Sequence, residues 1–267
     1  MAAATQRRLT RRKILSLAIP LALAAALILA SLLIHRNAPP NINRAFPGGE
    51  IVVGLDASFP PFALDDGESV RGLDIDLAKA IGSELEMPVR FLNIGFYALH
   101  DALISGQVDL LISALRIDPA RTQELRYTGS YFDNGLVTVT AATGRDSNLE
   151  SPAKPRIAYE YASNADSQIR GWEGADRALQ RLPYELPEYA LDALRLGLAD
   201  SAIVDATTLR LYLRARAEWG ARYEYITHEP YAIAIRIDRV DAWKLVDSAL
   251  AALKENGKLA TIIDKWL

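Results

Sequence analysis

Short apolar runs and helix-spaced apolar positions alternate along most of this chain. Ile51-Val52-Val53-Gly54-Leu55 is a brief apolar strand. Phe59-Pro60-Pro61-Phe62 must leave it, because proline cannot donate to a ladder and restricts the residue before it. Asp66-Gly67 suits a turn. Leu73, Leu77, Ala80, Ile81 and Leu85 then recur at the spacing of one helix face. Residues 89–94 read as the next strand, 96–104 as a short helix stopped at Gly106, and 108–113 as a third strand. Strand, helix, strand, helix, strand with short links predicts a parallel α/β sheet.

The unit then recurs. Tyr97-Ala98-Leu99-His100-Asp101-Ala102-Leu103 is matched by Tyr189-Ala190-Leu191-Asp192-Ala193-Leu194. Each run reaches a glycine, Gly106 or Gly197, where a helix needs a left-handed exit, and a strand follows. A vocabulary common to all βαβ units gives the same likeness. On either account the chain holds two similar α/β lobes. The second contains strands at Leu136–Ala141, 156–161 and 202–204, a helix around 190–196 and another over 207–219, with a loop at 142–155. Residues 231–235 form a strong strand that returns to the first lobe. The tail carries Trp243, Val246, Ala249, Leu250 and Leu253 on one helix stopped at Asn256-Gly257, then a second short helix. The domains are therefore expected at 48–135 plus 231–267 for lobe one and 136–230 for lobe two. Two crossings, near 135–137 and 229–232, make a hinge.

The N-terminus reads differently. Residues 1–13 carry Arg7, Arg8, Arg11, Arg12 and Lys13 with no acid, and 14–34 are uncharged and mostly apolar. At about 1.5 Å per residue that run spans roughly 30 Å, a bilayer core. The basic flank predicts an N-in, C-out transmembrane anchor or a signal segment. The run is longer than a usual signal core, and Ile28-Leu29-Ala30 is a poor cleavage site. Residues 35–47 read as a tether. All 33 acids lie beyond residue 47, against 23 of the 30 basic residues, so the outer part has a net charge of −10. That argues against nucleic acid as a partner. The absence of Cys removes disulfides, thiolate nucleophiles, zinc-thiolate sites and a lipoprotein anchor.

Several words carry a family resemblance. Asp56, Phe59, Pro61 and Phe62 follow the first strand. Gly72-Leu73-Asp74-Ile75-Asp76-Leu77, Asp118-Pro119-Ala120-Arg121, Ser130-Tyr131-Phe132 and Asn256-Gly257 with Lys265-Trp266 come after them. In this order over 48–267, the chain resembles the family 3 extracellular solute-binding proteins, which supply polar amino acids to ABC importers. The resemblance implies an α/β, two-lobed periplasmic-binding-protein-like fold of type II, with a hinge of two crossing strands, after the N-terminal transmembrane helix or signal segment. It implies a small-molecule, amino-acid-like solute held between closing lobes. It also implies an ABC permease partner, a monomeric soluble part at the periplasmic or extracytoplasmic face, membrane contact only through 14–34, and no cofactor.

The resemblance assigns roles. Arg121 stands where the family clamps the ligand's α-carboxylate, and a guanidinium fork matches a carboxylate bidentately. Main-chain N–H groups near Ser113, Ala114 and Arg116 are expected to add to that site. Asp205 stands where the α-ammonium is held. The same carboxylate, at the end of a strand and ahead of a helix, also reads as an N-cap. Phe59 and Phe96 match two aromatic walls, or are core. Asp56 is a further ligand-binding candidate, and Glu160, Ser163 and Asn164 occupy the loop over the ligand. Three departures fall here. Arg116 replaces a Thr or Ser, Glu160 stands where glutamine binders carry Lys, and Tyr161-Ala162-Ser163-Asn164-Ala165 lacks the family's glycine-containing run. No catalytic site assembles from the three His, and no metal spacing, nucleophile elbow or phosphate loop is present. The chain is read as a non-enzyme without metal ligands. A cyclohexadienyl-dehydratase-like enzyme using Glu160 as general acid, or a tethered sensory binding module, are the other classes.

Overall fold

The computed structural model describes residues 39–142, 154–173 and 179–267. The basic flank 1–13, the span 14–34 and most of the loop 142–155 lie outside the described residues. Among the described residues, no helix is long and apolar enough to cross a membrane.

Two five-stranded sheets organise the molecule. The first has the order Val89–Asn93, Ile51–Leu55, Leu110–Leu111, Ala234–Arg236, Leu125–Tyr127. Its first three strands are parallel, and Ala234–Arg236 runs antiparallel to both its neighbours. Ile51, Val53 and Leu55 are buried, as a central strand covered on both faces requires. The helix Leu73–Glu84 buries Leu73, Ile75, Leu77 and Ile81. The second sheet has the order Gln180–Tyr184, Arg156–Glu160, Ser201–Asp205, Leu136–Ala141, Ala221–Tyr225. It repeats the first sheet's pattern, with an antiparallel strand in fourth place. The repeated sequence unit ends alike in both: Gly106 exits at φ 78 and Gly197 at φ 73.

The structure corrects four boundaries. The strand expected at 108–113 is only Leu110–Leu111, because the chain turns at Ala114 (φ 45) to deliver its N–H inward. The helix expected over 207–219 is Ala206–Ala215, and Trp219 folds back edge-on against Tyr212 with ring centroids 5.4 Å apart. The strand expected at 231–235 is split. Pro230–Tyr231 pairs with Phe132–Asp133, and only Ala234–Arg236 enters the first sheet. The tether does not run to residue 47. Ile42–Ala45 is a short helix, and Ala45 and Phe46 are buried, since a phenyl ring left in water forgoes about 1.5–3 kcal/mol. Arg44 pairs with Asp241, and the Ala45 carbonyl accepts from Arg239.

The pairing of Phe132–Asp133 with Pro230–Tyr231 is the double crossing between the lobes. Tyr231 meets Phe62 edge-on, centroids 5.4 Å apart, and Phe132 sits 5.6 Å from Phe62. A Cβ at Gly135 would lie 2.0 Å from the Thr227 carbonyl oxygen. Only glycine lets the two segments pass so closely.

Candidate functional site

A cavity of about 530 Å³ opens at the carboxyl ends of the second sheet, where open α/β sheets hold ligands. Arg156–Glu160 and Ser201–Asp205 are adjacent parallel strands, so their last residues, Glu160 and Asp205, come to one wall. The crossing segments add Asn134, Thr227, His228 and Glu229. The Glu160 carboxyl is raised above its ordinary value, first by burial and then by the negative charges of Asp205 and Glu188.

Asp205 serves as the N-cap: Oδ1 accepts the Thr208 N–H at 2.9 Å, and Oδ2 accepts the Thr208 hydroxyl at 2.7 Å. It also lines the cavity, so capping and facing a ligand are not exclusive. Ser163 caps the helix Asn164–Glu173. Its hydroxyl accepts the N–H of Ala165 at 3.1 Å and of Asp166 at 3.3 Å, and donates to the Glu160 carbonyl at 2.7 Å. One hydroxyl thus fixes the helix start to the strand end that carries Glu160. Ala162, in the run without glycine, still adopts φ 60.

The first-lobe candidates do a different job. Asp56 accepts the N–H of Ser58 at 3.0 Å and of Phe96 at 2.8 Å, and its own N–H donates to the Ser113 hydroxyl at 3.0 Å. The Asp56 carboxylate therefore ties the Phe59 strand to the Phe96 turn, and its main-chain N–H ties both to Ser113 at the end of the third strand. Phe59 is 51% exposed and Phe96 54%, so neither is core. Phe59 rides on a small antiparallel sheet and stacks on Phe62, centroids 5.7 Å apart. The Ala114 N–H, expected to face a ligand, instead donates to the fully buried Asp74 at 2.8 Å and to the Tyr131 oxygen at 3.1 Å. A buried carboxylate needs donors, and this one takes them. Arg121, half exposed, has its Nε 3.3 Å from Asp118. Arg116 is mostly exposed, with its Nε 3.8 Å from the cavity-lining Glu229.

The structure thus gathers Glu160, Ser163, Asn164 and Asp205 on one cavity, with Arg116 at its edge through Glu229. Asp56, Phe59, Phe96, Ser113, Ala114 and Arg121 are not on its wall. Sequence reasoning missed Asn134, Thr227, His228 and Glu229, which sit in no periodic segment. Their nearness to the two expected crossings was the available signal. Glu160, Asp205 and Glu229 face the cavity, and no Lys or Arg is among its described lining residues. Such a wall attracts a cation and donors of hydrogen bonds.

The model for bacterial extracellular solute-binding proteins, family 3, matches residues 51–267, and the chain belongs to that family. It is similar to ABC transporter arginine-binding protein 1 of Escherichia coli, 26% identical over 250 residues that cover 91% of this chain and 98% of that protein. It is also similar to arginine-binding extracellular protein ArtP of Bacillus subtilis, 28% identical over 229 residues, 81% of this chain and 86% of that one. The L-cystine solute receptor of Neisseria gonorrhoeae, in its unliganded open conformation, superposes with TM-score 0.70 at 19% identity, covering 84% and 95% of the two chains. An ancestral cationic amino acid solute binding protein gives 0.62 at 24% identity, covering 84% and 98%. These two structures establish the two-lobed type II fold.

Proposed function

We propose that the chain captures an amino acid with a cationic side chain and presents it to an ABC importer at the extracytoplasmic face. The carrying observation is the trio Glu160, Asp205 and Glu229 on a cavity without Lys or Arg among its described lining residues. Burial first, and then the charges of Asp205 and Glu188, raise the Glu160 carboxyl, and a cation there relieves the second of these. The names of the arginine-binding relatives point the same way. On this reading the bodies 48–135 plus 231–267 and 136–230 close about the crossing strands, with residues 14–34 as export signal or anchor, and the folded part works as a monomer. Closure brings Arg121 to the ligand's α-carboxylate and Asp205 to its α-ammonium, with Phe59 and Phe96 along the side chain. No catalytic step is assigned, in keeping with a family of binding proteins.

Titration calorimetry of the whole chain against arginine, lysine, ornithine, histidine, glutamine and glutamate tests this. The cationic members should bind most tightly and raise the unfolding temperature by mass action, about 2.7 kcal/mol at a hundredfold excess over Kd. Arg121→Ala should cost about 2–5 kcal/mol of that affinity. Binding confined to neutral or acidic amino acids would reject the reading.

A further inference from the structure

His228 stands on the second crossing segment, lines the cavity and has a side chain 73% exposed. Two contacts fix its ring. It stacks on Tyr225 with centroids 5.6 Å apart and planes at 18°, and its Nδ1 lies 2.6 Å from Asp133 Oδ2. The Asp133 carboxylate divides its work. Oδ1 accepts the N–H of Gly135 at 2.9 Å and of Glu229 at 2.8 Å, while Oδ2, among the described residues, meets only the imidazole. Burial pushes the Asp133 carboxyl up, but His228 and the two N–H groups outweigh that and hold it below its ordinary value. An ionised carboxylate is an acceptor only, so Nδ1 must carry the proton. Nε2 has no partner among the described residues. In the neutral ring it is a lone pair on an imidazole fixed by two contacts, and His228 lines the cavity together with Glu160, Asp205 and Glu229. Arg210 bears on Tyr225 through its charge and lies over the Phe132 ring, 5.9 Å from the centroid, and Arg116 has its Nε 3.8 Å from Glu229.

We propose that His228 is a specificity-determining residue, offering Nε2 to the ligand's side chain as a hydrogen-bond acceptor. This rests on the cationic-ligand reading and sharpens it. A guanidinium has five N–H donors and no acceptor, so an acceptor beside three carboxylates suits it. A side chain of the same shape that places a carbonyl oxygen there meets a lone pair instead. The site is thereby set for a guanidinium over its ureido isostere by polarity at one atom as well as by charge. Orientation of that atom comes from the crossing strands, which hold the imidazole through Asp133.

The test titrates the whole chain with L-arginine and L-citrulline, which differ in a guanidinium against a ureido group. Three variants are needed. In Asp133→Asn the amide oxygen can keep both main-chain donors, so the amide N–H₂ faces Nδ1. That ring nitrogen must then accept, and the proton moves to Nε2. The arginine-to-citrulline affinity ratio should fall about tenfold or more, the size expected for a hydrogen bond to a charged group. His228→Ala, at an exposed position, should lower arginine affinity about tenfold and citrulline affinity less. In the double variant the further effect of Asp133→Asn on the ratio should vanish, because it acts through the ring. Nitrogen-15 spectra of the imidazole, without ligand, should show Nδ1–H in the parent and Nε2–H in Asp133→Asn. A ratio unmoved in both single variants, while the parent binds arginine, would overturn the role of His228. Additive effects in the double variant would assign the change to the lost charge and overturn it too. A parent that binds neither probe overturns the guanidinium preference, and the cationic-ligand reading falls with it only if lysine, ornithine and histidine do not bind either; an Nε2–H signal in the parent rejects the proposed acceptor.

Discussion

Asp74 is the residue whose letter least reveals its place. It stands in the first turn of Leu73–Glu84, next to Asp76, where two acids read as a solvated helix start. Yet it is fully buried beneath the turn at Ala114, with the Tyr131 hydroxyl donating to it at 2.8 Å. Burial pushes its carboxyl from 3.8 up to about 7, against the pull of Tyr131 and Ala114. In this case the folded value lies above the unfolded one. Between about pH 4 and 7 the native state keeps a proton that the unfolded chain has lost. Stability from this group is therefore greatest at low pH, declines as pH rises through that window by up to roughly 4 kcal/mol, and levels off beyond it. Asp74→Asn keeps an acceptor but cannot ionise, so urea unfolding at pH 5 and pH 8 should show a smaller loss than in the parent. Equal losses would refute the linkage. Ala162 carries the opposite lesson, since the sequence flagged a missing glycine and the backbone kept the glycine-like φ of 60. An alanine there costs about 1–2 kcal/mol, part of which it returns by restricting the unfolded chain. Ala162→Gly should raise stability by about 0.5–1 kcal/mol in the same assay.

Among elements, legibility followed burial. Ile51–Leu55, Leu136–Ala141 and Val240–Glu255 were readable because each buries a continuous run or a helix stripe. Gln180–Tyr184 and Ala221–Tyr225 were not. Both are edge strands, and neither contains a fully buried residue, so no apolar alternation marks them. Asn164–Glu173 did carry Ala165, Ile169 and Trp172 at helical spacing, but polar letters between them hid it. The end of Ser201–Asp205 was legible, and with it Asp205, because a strand end before a helix start has two consistent readings. Both can be separated. Asp205→Asn retains a good N-cap and removes the charge. Thermal unfolding should stay within about 0.5 kcal/mol of the parent, while affinity for a cationic ligand falls about tenfold or more. Asp205→Ala should lose about 1 kcal/mol of stability as well. If Asp205→Asn bound as the parent does, the capping role would be sufficient.

At the scale of the molecule, the family words in the sequence foretold two lobes and a double crossing, but not how tightly the crossings touch. That is a matter of atoms from distant residues. Gly135 lies against Thr227, and Asn134 Oδ1 accepts the Thr207 hydroxyl at 2.7 Å while its Nδ2 donates to Tyr231 at 3.0 Å. Gly135→Ala must push the two segments apart, an overpacking cost of about 1–3 kcal/mol. A lowered unfolding temperature is expected, and an unchanged one would show that the crossing yields easily. The position of Ala234–Arg236 has a further consequence. It fills a slot between Leu110–Leu111 and Leu125–Tyr127, although residues 136–230 must be made before it. A growing chain therefore carries an unfinished first sheet with two open strand edges, exposed to pairing with other chains. The second sheet has no such debt, since all its strands lie between Leu136 and Tyr225. A polypeptide stopped at residue 230 would keep the later-made lobe and lose the earlier one. The event that permits the first lobe to fold is the arrival of its last strand, after the whole of the second sheet has been made.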